Sequence, residues 1–318
     1  MDRARFHKSL LMMRMWVAAT TYSRWKRQVN STRCWGADLA NSVKVACVQT
    51  TSSTSIDENL TTSCELVRAA AADGAALITL PEVVNLCQRR GALAKEAVSL
   101  EGDDAGLLAY RALASELDVW ILVGSLALKL GDDDRLANRS FLIDPAGQVV
   151  ARYDKIHMFN VNLADGNTFR ESETYRPGTE SALAQTPWGP LGLTICYDVR
   201  FPYLYRALAQ AGAGIITVPS AFTRRTGEAH WHVLMRSRAI ETGAFIVAPA
   251  QCGDHEDGRK SYGHSLIVDP WGEVVADGGT EIGVVSAELD LDKIIEARSM
   301  IPSLTHDREI SRPSVAAK

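Results

Sequence analysis

The sequence predicts an α/β domain with a mixed sheet, assembled from two pseudo-symmetric halves. Apolar runs rich in alternating or β-branched residues recur along the chain, and helical patterns separate several of them, which argues for α/β. The second observation is a repeat. SFLIDPAGQVVA (140–151) and SLIVDPWGEVVA (265–276) align without a gap and share Ser, Asp, Pro, Gly, Val, Val and Ala. Each reads as a strand, a DPxG turn whose glycine accepts positive φ, and a return strand. Two such hairpins make the sheet mixed and point to one domain of two related halves.

In chain order, strands are expected at 44–49, 75–80, 119–127, 139–143, 191–196, 214–218, 244–249, 264–268 and 282–287. The segment DENLTTSCELVRAAAADG (57–74) predicts a helix capped by Asp57 and closed by Gly74. Residues 105–117, 201–211, 227–242 and 290–300 carry the same signature. Three parts follow: an extension at 1–42, a domain at 43–303 and a tail at 304–318.

Composition narrows the function. Of 318 residues 46% are hydrophobic, enough for a substantial core, and a net charge of −4 gives no reason to expect nucleic acid or an anionic membrane as a partner. No apolar run approaches the roughly 20 residues of a membrane span. The six cysteines lack a CxxC or metal-ligand spacing, which favours a reduced, cytoplasmic protein. Residues 1–42 hold eight Lys/Arg against two acidic residues. Two readings stay open there: an organellar transit peptide, or an upstream extension with Met12, Met13 and Met15 as alternative starts.

Three segments fit one reaction. LITLPE, RYDKIHMF and LTICYDVRFP are apolar runs that deliver Glu82, Lys155 and Cys196. A thiol to attack, a carboxylate to move protons and an ammonium to stabilise an oxyanion suffice for covalent hydrolysis of a carbon–nitrogen bond. Alone, each has a plain structural reading: a core cysteine, a rim carboxylate, a solvated lysine. Cys196 is expected at a strand-to-helix turn, where a helix N-terminus would lower its pKa. Arg200, one turn later, could clamp a carboxylate or pair with Asp198 or Glu241. His230 and His232, at i and i+2, do not share a helix face, so no metal is expected. His157 and His264 read as hydrogen-bonded core or rim histidines. No Gly-rich phosphate loop is present, so no cofactor is expected either.

Read together, the segments resemble the nitrilase (carbon–nitrogen hydrolase) superfamily from about Val43 to the last helix. That resemblance implies a four-layer αββα sandwich, a homodimer or higher homo-oligomer, and the catalytic set Glu82, Lys155 and Cys196. It implies Glu82 as general base and an oxyanion site shared by Lys155 and the Tyr197 backbone N–H. Glu171, in FRES, matches a second glutamate that holds the lysine. By resemblance to amidases of small ω-amide acids, Arg200, Phe222 and Thr226 line the substrate pocket. The stretch AQCGDHEDGRKSYGHSLIVDPWGEVVA (250–276) is more similar to deaminated-glutathione amidases than to ω-amidases. Glu228 stands where proline is frequent, and LPEVVNLCQRR lacks the aromatics often found after the glutamate, so the pocket mouth is expected to differ. Nitrilases proper, N-carbamoyl amidases, aliphatic amidases and a non-catalytic scaffold are the alternatives.

Overall fold

The computed structural model describes residues 41–162 and 168–311; the extension, save Asn41 and Ser42, and the end of the tail lie outside them. The strands begin with β1 (Ser42–Gln49), β2 (Leu77–Thr79), β3 (Trp120–Lys129), β4 (Leu136–Ile143) and β5 (Val149–Asp154). Next come β6 (Asn160–Asn162), β7 (Thr168–Arg170), β8 (Ala182–Thr186), β9 (Gly189–Leu193), β10 (Ile215–Thr217) and β11 (Phe245–Ala248). The last are β12 (Cys252–Asp254), β13 (Lys260–Tyr262), β14 (Leu266–Val268), β15 (Val274–Asp277) and β16 (Gly283–Asp290). The helices are α1 (Ile56–Ala72), α2 (Gly91–Ala97), α3 (Ala105–Leu117), α4 (Glu171–Thr174), α5 (Pro202–Gln210), α6 (Arg224–Thr242) and α7 (Asp292–Met300).

Two six-stranded sheets result, ordered β16-β1-β2-β3-β4-β5 and β15-β14-β11-β10-β9-β8. From β16 to β5 the pairings run antiparallel, parallel, parallel, antiparallel, antiparallel. From β8 to β15 the sequence of pairings is identical. The repeated hairpins are β4–β5 and β14–β15. In each, the turn aspartate (Asp144 or Asp269) accepts N–H bonds from the residues two and four positions on. Glycine sits at φ 71° in one turn and 85° in the other.

Amphipathic helices cover the outer faces. Val67 and Ala70 of α1 and Leu107, Tyr110 and Leu113 of α3 pack on Ile78, Ile121 and Phe141 of the first sheet. Each such fully buried Leu, Ile or Phe contributes roughly 1.5–3 kcal/mol. On the second half, α5 buries Leu204, Tyr205 and Leu208, and α6 buries Trp231 and Met235. The architecture is the αββα sandwich. Where the inner faces meet, Gly124 of β3 leaves room for backbone alone: a Cβ there would lie 1.8 Å from the Leu80 carbonyl oxygen and 2.6 Å from Pro219.

Some expectations needed correction. The cap of α1 is Ser55, whose side chain accepts from Glu58 N–H, and Asp57 lies inside the first turn. The short strands β6–β8, β12 and β13 and helix α2 carry too few periodic residues to register in the sequence. The start of the tail is tied down, with Leu304 buried and Arg206 donating to Asp307 at 2.9 Å.

Candidate active site

Glu82, Lys155 and Cys196 meet at the seam between the halves. Glu82 follows β2 through Pro81, Lys155 follows β5 directly, and Cys196 lies three residues beyond β9. All are buried, at 4%, 2% and 7% exposure. Lys155 Nζ donates to Glu82 Oε1 at 2.7 Å and to both oxygens of Glu171, at 2.8 and 2.9 Å. Cys196 lines the same cleft as Glu82 and Lys155, and the charges of both act on its thiol. Ala221 N–H, from the loop after β10, donates to the other Glu82 oxygen at 2.8 Å. Glu171 opens α4 and also accepts from Phe159 N–H at 2.6 Å, which fixes its carboxylate against the lysine.

Backbone geometry here is unusual. Val83 and Cys196 hold φ of 46° and 47°, a left-handed conformation that non-glycine residues, β-branched ones above all, rarely adopt. Such positions persist only where the surroundings impose them, and they cluster at functional sites.

The charges follow from these contacts. Burial works to raise the pKa of Glu82, but the Lys155 ammonium and the Asn138 hydrogen bond outweigh it and hold the carboxyl below its ordinary value. Burial would also discharge Lys155, yet Glu171 and Glu82 keep its pKa well above normal. Cys196 is pushed far up, first by burial and then by the charge of Glu82, with Lys155 opposing. The resting set is therefore carboxylate, ammonium and neutral thiol. This overturns the expected low-pKa cysteine. Cys196 starts a short 3₁₀ turn (Cys196–Arg200), and the α-helix that follows it in the chain, α5, begins only at Pro202.

The three residues open onto a cleft of about 420 Å³, whose walls include Glu171, Tyr197, Phe222 and Thr226. Arg200 is not among its lining residues. Its guanidinium lies 5.3 Å from the Phe222 ring centroid and 5.8 Å from that of Tyr197, and it donates to His230 Nδ1 at 3.3 Å. Neither suggested ion pair forms: Asp198 accepts from Tyr153 and His157, and Glu241 from Arg238. His157 is stacked on Phe201 and hydrogen-bonded to Asp198. His232 lies with His264 and Asp277, their ligand atoms within 4.8 Å of one another. That donor set could hold a metal ion, but none of the three lines the cleft.

Asn138 of β4 was not apparent in the sequence. Its Nδ2 donates to Glu82 Oε1 at 2.9 Å and Glu171 Oε1 at 3.2 Å, bridging the two carboxylates that share the lysine. Its Oδ1 is buried without a hydrogen-bond partner among the described residues. The only signal was its place in a strand that otherwise reads as core.

Comparison with known proteins extends this geometry. The model of the carbon–nitrogen hydrolase family matches residues 44–299. A deaminated glutathione amidase from Synechocystis sp. is 40% identical over 264 residues, covering 82% of this chain and 96% of that protein. The crystal structure of the C. elegans NitFhit protein superposes with a TM-score of 0.79 at 35% identity, over 85% of this chain and 66% of that one. A glutamate-to-glutamine variant of the Nesterenkonia sp. AN1 amidase, with the acetamide moiety of fluoroacetamide added covalently at its active site cysteine, matches with a TM-score of 0.70. It is 25% identical, over 82% of this chain and 95% of that one.

Proposed function

The chain belongs to the carbon–nitrogen hydrolase family, and from that premise we propose that it cleaves a small linear amide, deaminated glutathione foremost, through a thioester on Cys196. The observation that carries the proposal is the convergence, on one cleft, of the buried Cys196 thiol with a Glu82 carboxylate that Lys155 contacts at 2.7 Å and holds ionised. As Cys196 attacks the amide carbon, its proton passes to Glu82, and no free thiolate is needed. Lys155 and the Tyr197 backbone N–H stabilise the oxyanion. Glu82 then protonates the departing nitrogen and deprotonates the water that cleaves the thioester. Glu171 and Asn138 act through these groups: both hold the lysine–glutamate pair in register.

Phe222 and Thr226 form the wall against the acyl portion. Arg200 stands behind that wall. Its hydrogen-bond partner is the His230 imidazole, so in this geometry it backs the Phe222 and Tyr197 rings and bears on the substrate through them. The choice of deaminated glutathione rests on the named activity of the Synechocystis relative; simpler aliphatic amides are the second reading. We place the reaction in the cytoplasm, since the described cysteines are all free, unless residues 1–42 direct the chain to an organelle. Among the described residues no helix is long and apolar enough to cross a membrane. Val233 and Ile240 on α6, exposed at 68% and 54%, with Trp271 at 56%, support a homo-oligomer.

Intact-protein mass spectrometry of a Glu82→Gln variant mixed with deaminated glutathione tests the mechanism. A mass increase on Cys196 equal to the acyl group is expected. Turnover near normal in Cys196→Ala would exclude it.

A further inference from the structure

A second cavity of about 370 Å³ opens beside the cleft and shares Arg89, Phe169, Ala221, Thr223 and Arg259 with it. Its lining is strongly cationic: Arg89, Arg224, Arg225, Arg259 and Lys260 face a single acidic lining residue, Glu228. Some of this charge is already answered. Arg224 and Lys260 share Asp254, and Arg259 donates to Asp257 at 2.7 Å. Arg89 differs. It stands at the junction of the two cavities with its guanidinium 5.9 Å from the Phe169 ring centroid, and among the described residues no carboxylate pairs with it.

An arginine held against an aromatic face, beside other cations and without an acidic partner, is suited to receive an anion bidentately. A substrate longer than the catalytic cleft would pass it. We propose that this annex is the subsite for a second carboxylate, carried on the amine portion that departs from the scissile carbonyl, and that Arg89 is the residue that pairs with it. The inference deepens the amidase reading and rests on it. The preferred substrates are amides charged at both ends, and deaminated glutathione, which ends in a glycine carboxylate, is one. The sequence carried a trace of this feature, because QRR (88–90) falls where aromatics were expected at the pocket mouth.

The test compares kcat/KM for deaminated glutathione with that for its C-terminal carboxamide, in the wild type and in Arg89→Ala, Arg89→Lys and Arg89→Glu. Arg89 is exposed, so the variants should fold, and melting temperatures check this. Wild type should prefer the carboxylate form about tenfold or more. Arg89→Ala should remove that preference mainly through KM, Arg89→Lys should restore part of it, and Arg89→Glu should favour the carboxamide. The wild-type preference should also shrink as salt rises, as expected for an exposed charge pair. Equal turnover of the two compounds by wild type, or equal losses on both in Arg89→Ala, overturns the subsite and leaves the amidase reading intact. Hydrolysis of neither compound, while an aliphatic amide is turned over, overturns both the substrate choice and this subsite.

Discussion

The two halves of the molecule share a scaffold and differ at the ends of their strands. ITLPE (78–82), on β2, and ITVPS (216–220), on β10, occupy corresponding places. Thr79 donates its hydroxyl to the Ala46 carbonyl and Thr217 to that of Gly192; Leu80 and Val218 donate N–H to the neighbouring strand at 2.9 and 2.8 Å. Two residues later the likeness ends, with Glu82 in one half and Ser220 in the other. The same registers set Thr50, after β1, against Cys196, after β9. Glu82 in one half and Cys196 in the other thus stand where the counterpart carries a hydroxyl, and Lys155 joins them from the first half. The proposed chemistry draws on positions where the two differ, across the seam.

The firmest way to break this comparison is to remove one reactive group at a time. Glu82→Gln, Lys155→Met and Cys196→Ala should each lower kcat/KM by on the order of 10³-fold or more, and the double variants should lose little beyond the singles, since the groups act as a unit. Losses that multiply would mean the halves act independently. Asn138→Ala comes next. It removes one donor from two carboxylates, and hydrogen bonds to charged groups contribute about 1.5–3 kcal/mol. A fall in kcat of roughly 10- to 100-fold is expected, with an unchanged melting temperature separating positioning from folding.

A pH profile sharpens the same point. Glu82 is held below its ordinary 4.5 and must be ionised to take the thiol proton. Lys155 stays charged beyond its ordinary 10.5, and the thiol is raised above 9.0. Activity should therefore fall only as pH drops through the lowered carboxylate range, and kcat/KM should be flat from about pH 6 to 9. If the thiol had to ionise before substrate bound, the rate would instead climb about tenfold per unit below the thiol pKa. The smallest effect belongs to the counterpart of Glu82. Ser220 donates to the Val218 carbonyl at 2.9 Å within its own half. Ser220→Ala should cost about 1 kcal/mol of stability, read by denaturant unfolding, and change kcat less than threefold.

The periodic elements were legible in the sequence. Helix α3 was expected at 105–117 and is found at Ala105–Leu117, because a capping Asp104 and a continuous apolar stripe mark it. The hairpin repeat announced the two halves, since DPxG turns constrain their own backbone. Glu82, Lys155 and Cys196 were legible only as a set: alone each has a plain structural reading, and the three segments together carry the family resemblance that singled them out. What stayed hidden was set by tertiary contact. Asn138 reads as one more strand residue until Glu82 and Glu171 close on it. The pKa of Cys196 could not be read from a nearby helix, because burial and Glu82 decide it. Arg200 has the right spacing and yet turns its guanidinium onto the outer side of the cleft wall.

Keeping the sulfur of Cys196 as a buried, protonated thiol has a consequence for durability. Peroxide and similar oxidants react with thiolates, and cysteines that stay protonated and enclosed are spared the passage to sulfenic and higher acids. An enzyme whose base and nucleophile exchange their proton only when an amide arrives exposes no standing target between turnovers. Inactivation by hydrogen peroxide should accordingly run slower than for a cysteine enzyme that rests as a thiolate, and an equally fast loss would show that the proton leaves before substrate does its part. Oxidative lifetime here would depend on the same seam that we propose performs the hydrolysis.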